Sequence, residues 1–149
     1  MLNYRKSSHV IYDNKYHIIW VPKYRYAILT GKVALRVREL IRQISIANEV
    51  EILSGSVGSD HIHIHVSIPP QLSVSKYVQF VKGATSHKLQ LEFSEIRKRY
   101  WGQHVWARGY FCATTGTVTS ETIQNYIRNQ SEESQEDEFK ITSSSGKDF

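Results

Sequence analysis

In the stretch SDHIHIHVSIPP, Ser59 to Pro70, His61, His63 and His65 alternate with Ile62, Ile64 and Val66. A histidine near neutral pH can move a proton or give a ring-nitrogen lone pair to a metal. Side chains along a strand point alternately to its two faces, so three imidazoles here share one side. The isoleucine side reads as core, because β-branched residues pack well on a pleated surface. Pro69 and Pro70 end the strand, since proline donates no ladder hydrogen bond. A second pair lies far along the chain in YIRNQ. Tyr126 and Gln130 stand four residues apart, so on a helix their Cβ atoms lie roughly 5–6 Å from each other on one face. A phenol with a pKa of about 10 can attack a phosphodiester and leave again more easily than an alcohol. Yet Tyr126 is one of nine tyrosines, and any one of them is by default a core aromatic. Its company has to decide.

The elements that must position these residues follow from periodicity. YHIIWV, Tyr16 to Val21, predicts a strand ended by Pro22. From Lys32 to about Glu49, Val33, Val37, Leu40, Ile41, Ile44 and Ala47 recur at helical spacing, with Arg36, Arg38, Arg42 and Gln43 largely opposite. VEILSGSVG predicts a second strand that pairs with the histidine strand as a hairpin. Ser73 to about Phe93 predicts a second helix, with Tyr77, Phe80, Val81, Ala84, His87, Lys88 and Leu91 near one face. Gly83 inside it weakens the case for an unbroken rod. Tyr110 to Ala113 predicts a fourth strand. A last helix, capped by Thr119 or Ser120 with Glu121 in its first turn, carries Tyr126 and Gln130. The order β-α-β-β-α-β plus a terminal helix is an α+β, ferredoxin-like pattern: an antiparallel sheet with helices on one face. That fold hosts many activities and by itself assigns none.

The 149 residues suit one domain, over 1–130, and the acidic, polar composition of 131–149 predicts a disordered tail. Net charge is +5, but the tail holds six acids and two lysines, so residues 1–130 carry 17 basic and 8 acidic side chains, or +9. A basic body interleaved with aromatics attracts a polyanion such as nucleic acid, though a solvated basic surface without a partner has the same composition. Cys112 is the single cysteine, which excludes an intrachain disulfide and fits a cytoplasmic setting. No run is apolar enough for a membrane span, and MLNYRKSSH is no secretory signal.

With YHIIWVPKYRY, GSDHIHIHVSIPP, VKGATSHKLQ, YWGQHVWARGYF and YIRNQ in that order, the chain resembles the IS200/IS605-type single-tyrosine transposases of the HUH nuclease superfamily. The resemblance spans nearly all of residues 10–130 and leaves the tail outside. It implies that Tyr126 is the nucleophile and that His61 and His63, directly after Asp60, hold a divalent metal with Gln130 as third ligand. The metal is Mg²⁺ by resemblance, with Mn²⁺ as a substitute; imidazole donors alone favour Mn²⁺ and later metals. His65 departs from the family pattern, so His63 and His65 spell the histidine pair as well, although DHIH frames His61 and His63 better. The implied reaction cuts and rejoins single-stranded DNA at the ends of an insertion sequence through a 5′-phosphotyrosine, after recognition of nearby hairpins. The implied enzyme is a prokaryotic, cytoplasmic homodimer in which the tyrosine helix of one chain completes the histidine site of the other.

Within that expectation Lys23, Arg25, Lys82, Lys88, Arg97, Lys98, Arg99 and Arg108 could track phosphates, and Tyr24, Tyr26, Tyr100, Trp101 and Trp106 could stack bases. Two other classes compete. A histidine-triad nucleotide hydrolase or transferase shares the His-φ-His-φ-His spacing, but HIHIHVS breaks at Ser67 and lacks a glycine-rich lead-in. A non-catalytic nucleic-acid-binding module on the same fold would put aromatics where this sheet puts histidines.

Overall fold

The computed structural model describes residues 4–114 and 120–133. A short pair, β1 (Arg5–Lys6) and β2 (Ile11–Tyr12), precedes the main body. There β3 (Lys15–Trp20), α1 (Gly31–Ala47), β4 (Glu51–Gly58), β5 (His61–Ser67), α2 (Val74–Glu92) and β6 (Phe111–Thr114) follow the expected order. A short helix α3 (Ser94–Arg99) precedes β6, and α4 (Ser120–Glu133) closes the described chain. The four-stranded sheet runs β4-β5-β3-β6 with every pair antiparallel. This is the ferredoxin-like arrangement with an added helix.

Alternation in β5 holds along its length. Ile62, Ile64 and Val66 are buried, while each histidine is half-buried. Opposite residues in an antiparallel pair share a face, so Tyr16, Ile18 and Trp20 join them beneath α1 and α2. Trp20 Nε1 is buried there without a hydrogen-bond partner, whereas Ser45, Tyr77, Thr85 and Trp106 pair their polar atoms. Ser45 Oγ and Tyr77 OH lie 2.7 Å apart and tie α1 to α2; burial pushes the Tyr77 hydroxyl up to about 12. Thr85 donates to Val81 O and accepts from Trp106 Nε1, at 2.7 and 2.8 Å. Gly31 enters α1 at φ +55°, a left-handed turn that glycine makes without a Cβ clash.

Three expectations need correction. α2 is unbroken through Gly83, where an added Cβ would meet nothing within 4 Å, so the glycine neither bends the helix nor serves a close contact. Its buried stripe is Tyr77, Val78, Val81, Thr85 and Leu89. Phe80 and Leu91 turn outward, at 40% and 64% exposure, because the stripe follows Val78 and Thr85 rather than the most apolar residues. Helix α3 and the β1–β2 pair were not anticipated, being too short for periodicity to register. The tail beyond 133 and the cap position Thr119 lie outside the described residues. Among the described residues no helix is long and apolar enough to cross a membrane.

Candidate active site

Histidines line the face of the sheet away from α1 and α2. β5 contributes His61, His63 and His65, and the register places His17 of β3 opposite His65. Phe111 of β6 stands opposite Ile19 on the same face. The β5 histidines are held by different kinds of contact. The His61 ring lies over Gly58, its cross-strand partner: a Cβ there would come within 2.4 Å of His61 Cε1. Gly58 is thus a cradle for the imidazole, which any other side chain would fill. His61 Nδ1 lies 3.1 Å from Asp60 Oδ1. A carboxylate at one ring nitrogen fixes the tautomer and leaves Nε2 to bind a cation, the usual construction of a histidine metal ligand.

His63 Nε2 lies 3.1 Å from His17 Nδ1. The His17 ring in turn stacks flat on His65, with centroids 4.1 Å apart and planes 3° from parallel. His65 Nε2 is buried without a hydrogen-bond partner. Burial lowers the pKa of His17, His63 and His65, and neighbouring imidazoles lower that of His63 and His65 further. Lowered values keep these rings neutral at pH 7, with lone pairs in place. Among the described residues no three His, Cys, Asp or Glu side chains close on a common point. Two neutral imidazoles plus an amide oxygen would leave a bound cation its full charge.

Tyr126 reaches this face from α4. Its ring packs against Phe111 at 5.8 Å, tilted 56°, and the residue is half-buried; Gln130, one turn on, is half-buried too. Ile127 between them is buried. What ties α4 to the histidines is Arg25. Its Nε donates to Asp60 Oδ2 at 3.1 Å, and its Nη1 to the Ile127 carbonyl at 3.4 Å. A continuous chain of contacts therefore runs from the tyrosine helix through Arg25 and Asp60 to His61. The backbone that aims Arg25 is strained, since Tyr24 and Arg25 sit at φ +62° and +54°. Such left-handed residues cost about 1–3 kcal/mol each and persist only where surroundings impose them. Here Arg25 N–H donates to Pro22 O, Lys23 N–H to Val105 O and Tyr100 OH to Lys23 O, at 2.8, 2.7 and 3.1 Å.

The basic and aromatic residues divide. Tyr24 and Trp101 are exposed, at 54% and 79%, and Lys88, Arg97, Lys98, Arg99 and Arg108 face solvent. Arg99 lies over the Tyr26 ring at 4.7 Å and Lys23 over Tyr24 at 5.5 Å. Tyr100 and Trp106 are buried in the core and present no stacking face. Lys82 donates to the carbonyls of Ala107 and Gly109, both at 2.8 Å, and burial lowers its pKa to about 8. It pins the 107–109 loop beside a groove of roughly 870 Å³ lined by Lys23, His87, His104 and Arg108, with no acidic residue.

Sequence reading missed His17 and Gly58 and treated Arg25 as a phosphate contact. The signal for His17 was its period-two position in YHIIWV, which becomes informative only once β3 and β5 are in register.

Residues 10–130 match the family model described as "Transposase IS200 like". A transposase of the insertion sequence ISDra2 from Deinococcus radiodurans is 31% identical over 129 residues, which cover 87% of this chain and 92% of that protein. The transposase of the insertion sequence element IS200 from Salmonella typhimurium is 36% identical over 126 residues, or 85% of this chain and 82% of that one. A transposase crystal structure from Deinococcus radiodurans superposes with a TM-score of 0.77 at 30% identity, covering 85% of this chain and 97% of that chain. A tyrosine transposase bound to a REP hairpin shares the fold at TM-score 0.56 and 15% identity, over 87% of this chain and 68% of its own. With its histidine face, its tyrosine helix and a match over residues 10–130, the chain belongs to the IS200-like transposase family.

Proposed function

We propose that this transposase cuts and rejoins single-stranded DNA with Tyr126 as nucleophile. The observation that carries the proposal is the docking of α4 over the histidine face, through Phe111 and the Arg25–Asp60–His61 chain. The Tyr126 hydroxyl loses its proton and attacks phosphorus; the bond to the 3′-oxygen breaks, and that oxygen leaves as a hydroxyl. The 5′ end stays on the tyrosine. A 3′-hydroxyl attacking back expels the phenolate, so rejoining needs no ATP. His61 and His63, with Gln130 swung in by its helix, would hold a divalent cation, Mg²⁺ or Mn²⁺. When bound, that cation neutralises and orients the scissile phosphate. The contact of His61 with Asp60 supports His61 and His63 as the ligating pair, whereas His65 is occupied by its stack on His17.

The substrate is single-stranded DNA with a hairpin nearby. The exposed set of Tyr24, Arg97, Lys98, Arg99, Trp101 and Arg108, with half-buried Lys23 beside it, supports a polyanion with stacked bases, and the fold is one that a hairpin-bound tyrosine transposase also uses. The homodimer is part of the proposal. Strands β4 and β6 are the open edges of the sheet, and an open edge is a template for pairing. In the described chain α4 packs on its own sheet, so a composite site would require α4 to exchange.

Labelled strands from the element's ends test the reading. His63→Ala, or removal of divalent metal with EDTA, should reduce cleavage by about a hundredfold or more while hairpin affinity changes less than about threefold, because the basic surface lies apart from the histidines. Undiminished cleavage in EDTA would contradict the metal-dependent mechanism.

A further inference from the structure

His17 belongs to neither the histidine repeat of β5 nor the Tyr126–Gln130 pair, yet it touches two of the three β5 histidines. We propose that His17 is a positioning residue for His63, and that His65 is the clamp holding His17 in place. The inference rests on the ligating role of His61 and His63 put forward above.

A metal-ligating imidazole generally gives its second nitrogen to a partner that fixes ring and tautomer. Asp60 does this for His61. His63 has no carboxylate; the group at its Nε2 is His17 Nδ1, 3.1 Å away. In a hydrogen bond between two neutral imidazoles, one nitrogen must carry the proton. If His17 donated, the His63 Nε2 lone pair would be spent and its Nδ1 would bear hydrogen, leaving nothing for a cation. With the bond kept, a ligating His63 must donate its Nε2–H and keep Nδ1 bare. His17 is then the acceptor at Nδ1 and carries its own hydrogen on Nε2.

The acceptor must also be held in place. His17 meets His65 across the β3–β5 pair, and their rings lie flat together at 4.1 Å. The stack restricts rotation of the His17 ring, which would otherwise swing Nδ1 away from His63. This gives His65 a role that needs its planar ring and not its nitrogens, consistent with a buried Nε2 that has no partner. The two ligating histidines are thus supported differently: one by a carboxylate, the other by a neutral imidazole that adds no negative charge.

Mn²⁺ binding to the full chain without DNA, followed by the loss of the free-ion EPR signal, tests this with five variants. His17→Phe keeps a ring on His65 but removes the acceptor, and should weaken Mn²⁺ about tenfold or more. His17→Asn places an acceptor oxygen near the former Nδ1 and should recover most of the loss. His65→Phe should bind as the wild type does, and His65→Ala should lose a few-fold. Wild-type affinity in His17→Phe would reduce His17 to filler, and loss in His65→Phe equal to that in His17→Phe would remove the clamp. His61→Ala separates the levels: if it binds Mn²⁺ as well as the wild type, the metal-site reading itself fails, whatever His17 does. Nitrogen-15 NMR of the wild type, free of metal, supplies a check independent of any variant's folding. His63 should be found as the Nε2–H tautomer, and finding it as Nδ1–H would overturn the proposal.

Discussion

The two faces of the central sheet are built from the same strands yet obey different rules. Beneath α1 and α2, Ile18, Trp20, Ile62, Ile64 and Val66 are buried among apolar neighbours, and Ser45, Tyr77, Thr85 and Trp106 pair their polar atoms. On the other face the same strands put forward His17, His61, His63 and His65, covered in part by α4. Burial on the first face supplies stability through area removed from water. The second face keeps half-buried imidazoles whose charged forms are disfavoured, an arrangement that gains little stability but preserves lone pairs. The difference teaches that one alternating strand can hold the fold and the chemistry at once, and that substitutions should separate the two.

Stability should break first on the packed face. Ile64→Ala should cost about 2–5 kcal/mol in denaturant unfolding, the usual range for truncating a buried aliphatic residue. His65→Ala, one position along, should cost less than about 1.5 kcal/mol. Equal costs would mean that the histidine face is a second core.

Gly58→Ala sharpens the contrast from the other side. The added Cβ would overlap the His61 ring, so the ring must leave its position beside Asp60. Cleavage and Mn²⁺ affinity should fall about tenfold or more, with a stability loss of about 1–3 kcal/mol for the strain. Unchanged metal affinity would show that the cradle is incidental.

A smaller effect is expected where the faces communicate. Arg25→Gln removes the link between Asp60 and α4. This pair is partly solvated, and such ion pairs contribute about 0–1 kcal/mol, so melting should scarcely move. Hydrogen exchange in α4 should quicken and cleavage should fall several-fold. Unaltered exchange in α4 would mean that Phe111 alone docks the helix.

What was legible in the sequence was local. Period-two alternation gave β5 and its two faces, the i, i+4 spacing gave α1 and the Tyr126–Gln130 pair, and VEILSGSVG next to the histidine strand gave the hairpin. The invisible part was non-local. His17 and His63 are 46 residues apart and Arg25 and Asp60 are 35 apart, and only strand register and a strained turn bring them together. Composition misled as well. Tyr100 and Trp106 sit in the most basic, aromatic segment, but they are buried because their polar atoms find partners in Lys23 and Thr85. Phe80 and Leu91 mislead in the opposite direction, being apolar and outward.

The central claim is that the tyrosine on α4, rather than water, attacks the DNA. The most direct measurement is to trap the protein with a single-stranded end of its element, digest it, and locate the adduct by mass spectrometry, with Tyr126→Phe in parallel. The expected result is a 5′-phosphate-linked nucleotide on Tyr126, a free 3′-hydroxyl on the released strand, and neither adduct nor cleavage in a folded, hairpin-binding Tyr126→Phe. Cleavage by Tyr126→Phe at the wild-type rate, or an adduct on any other residue, would contradict it.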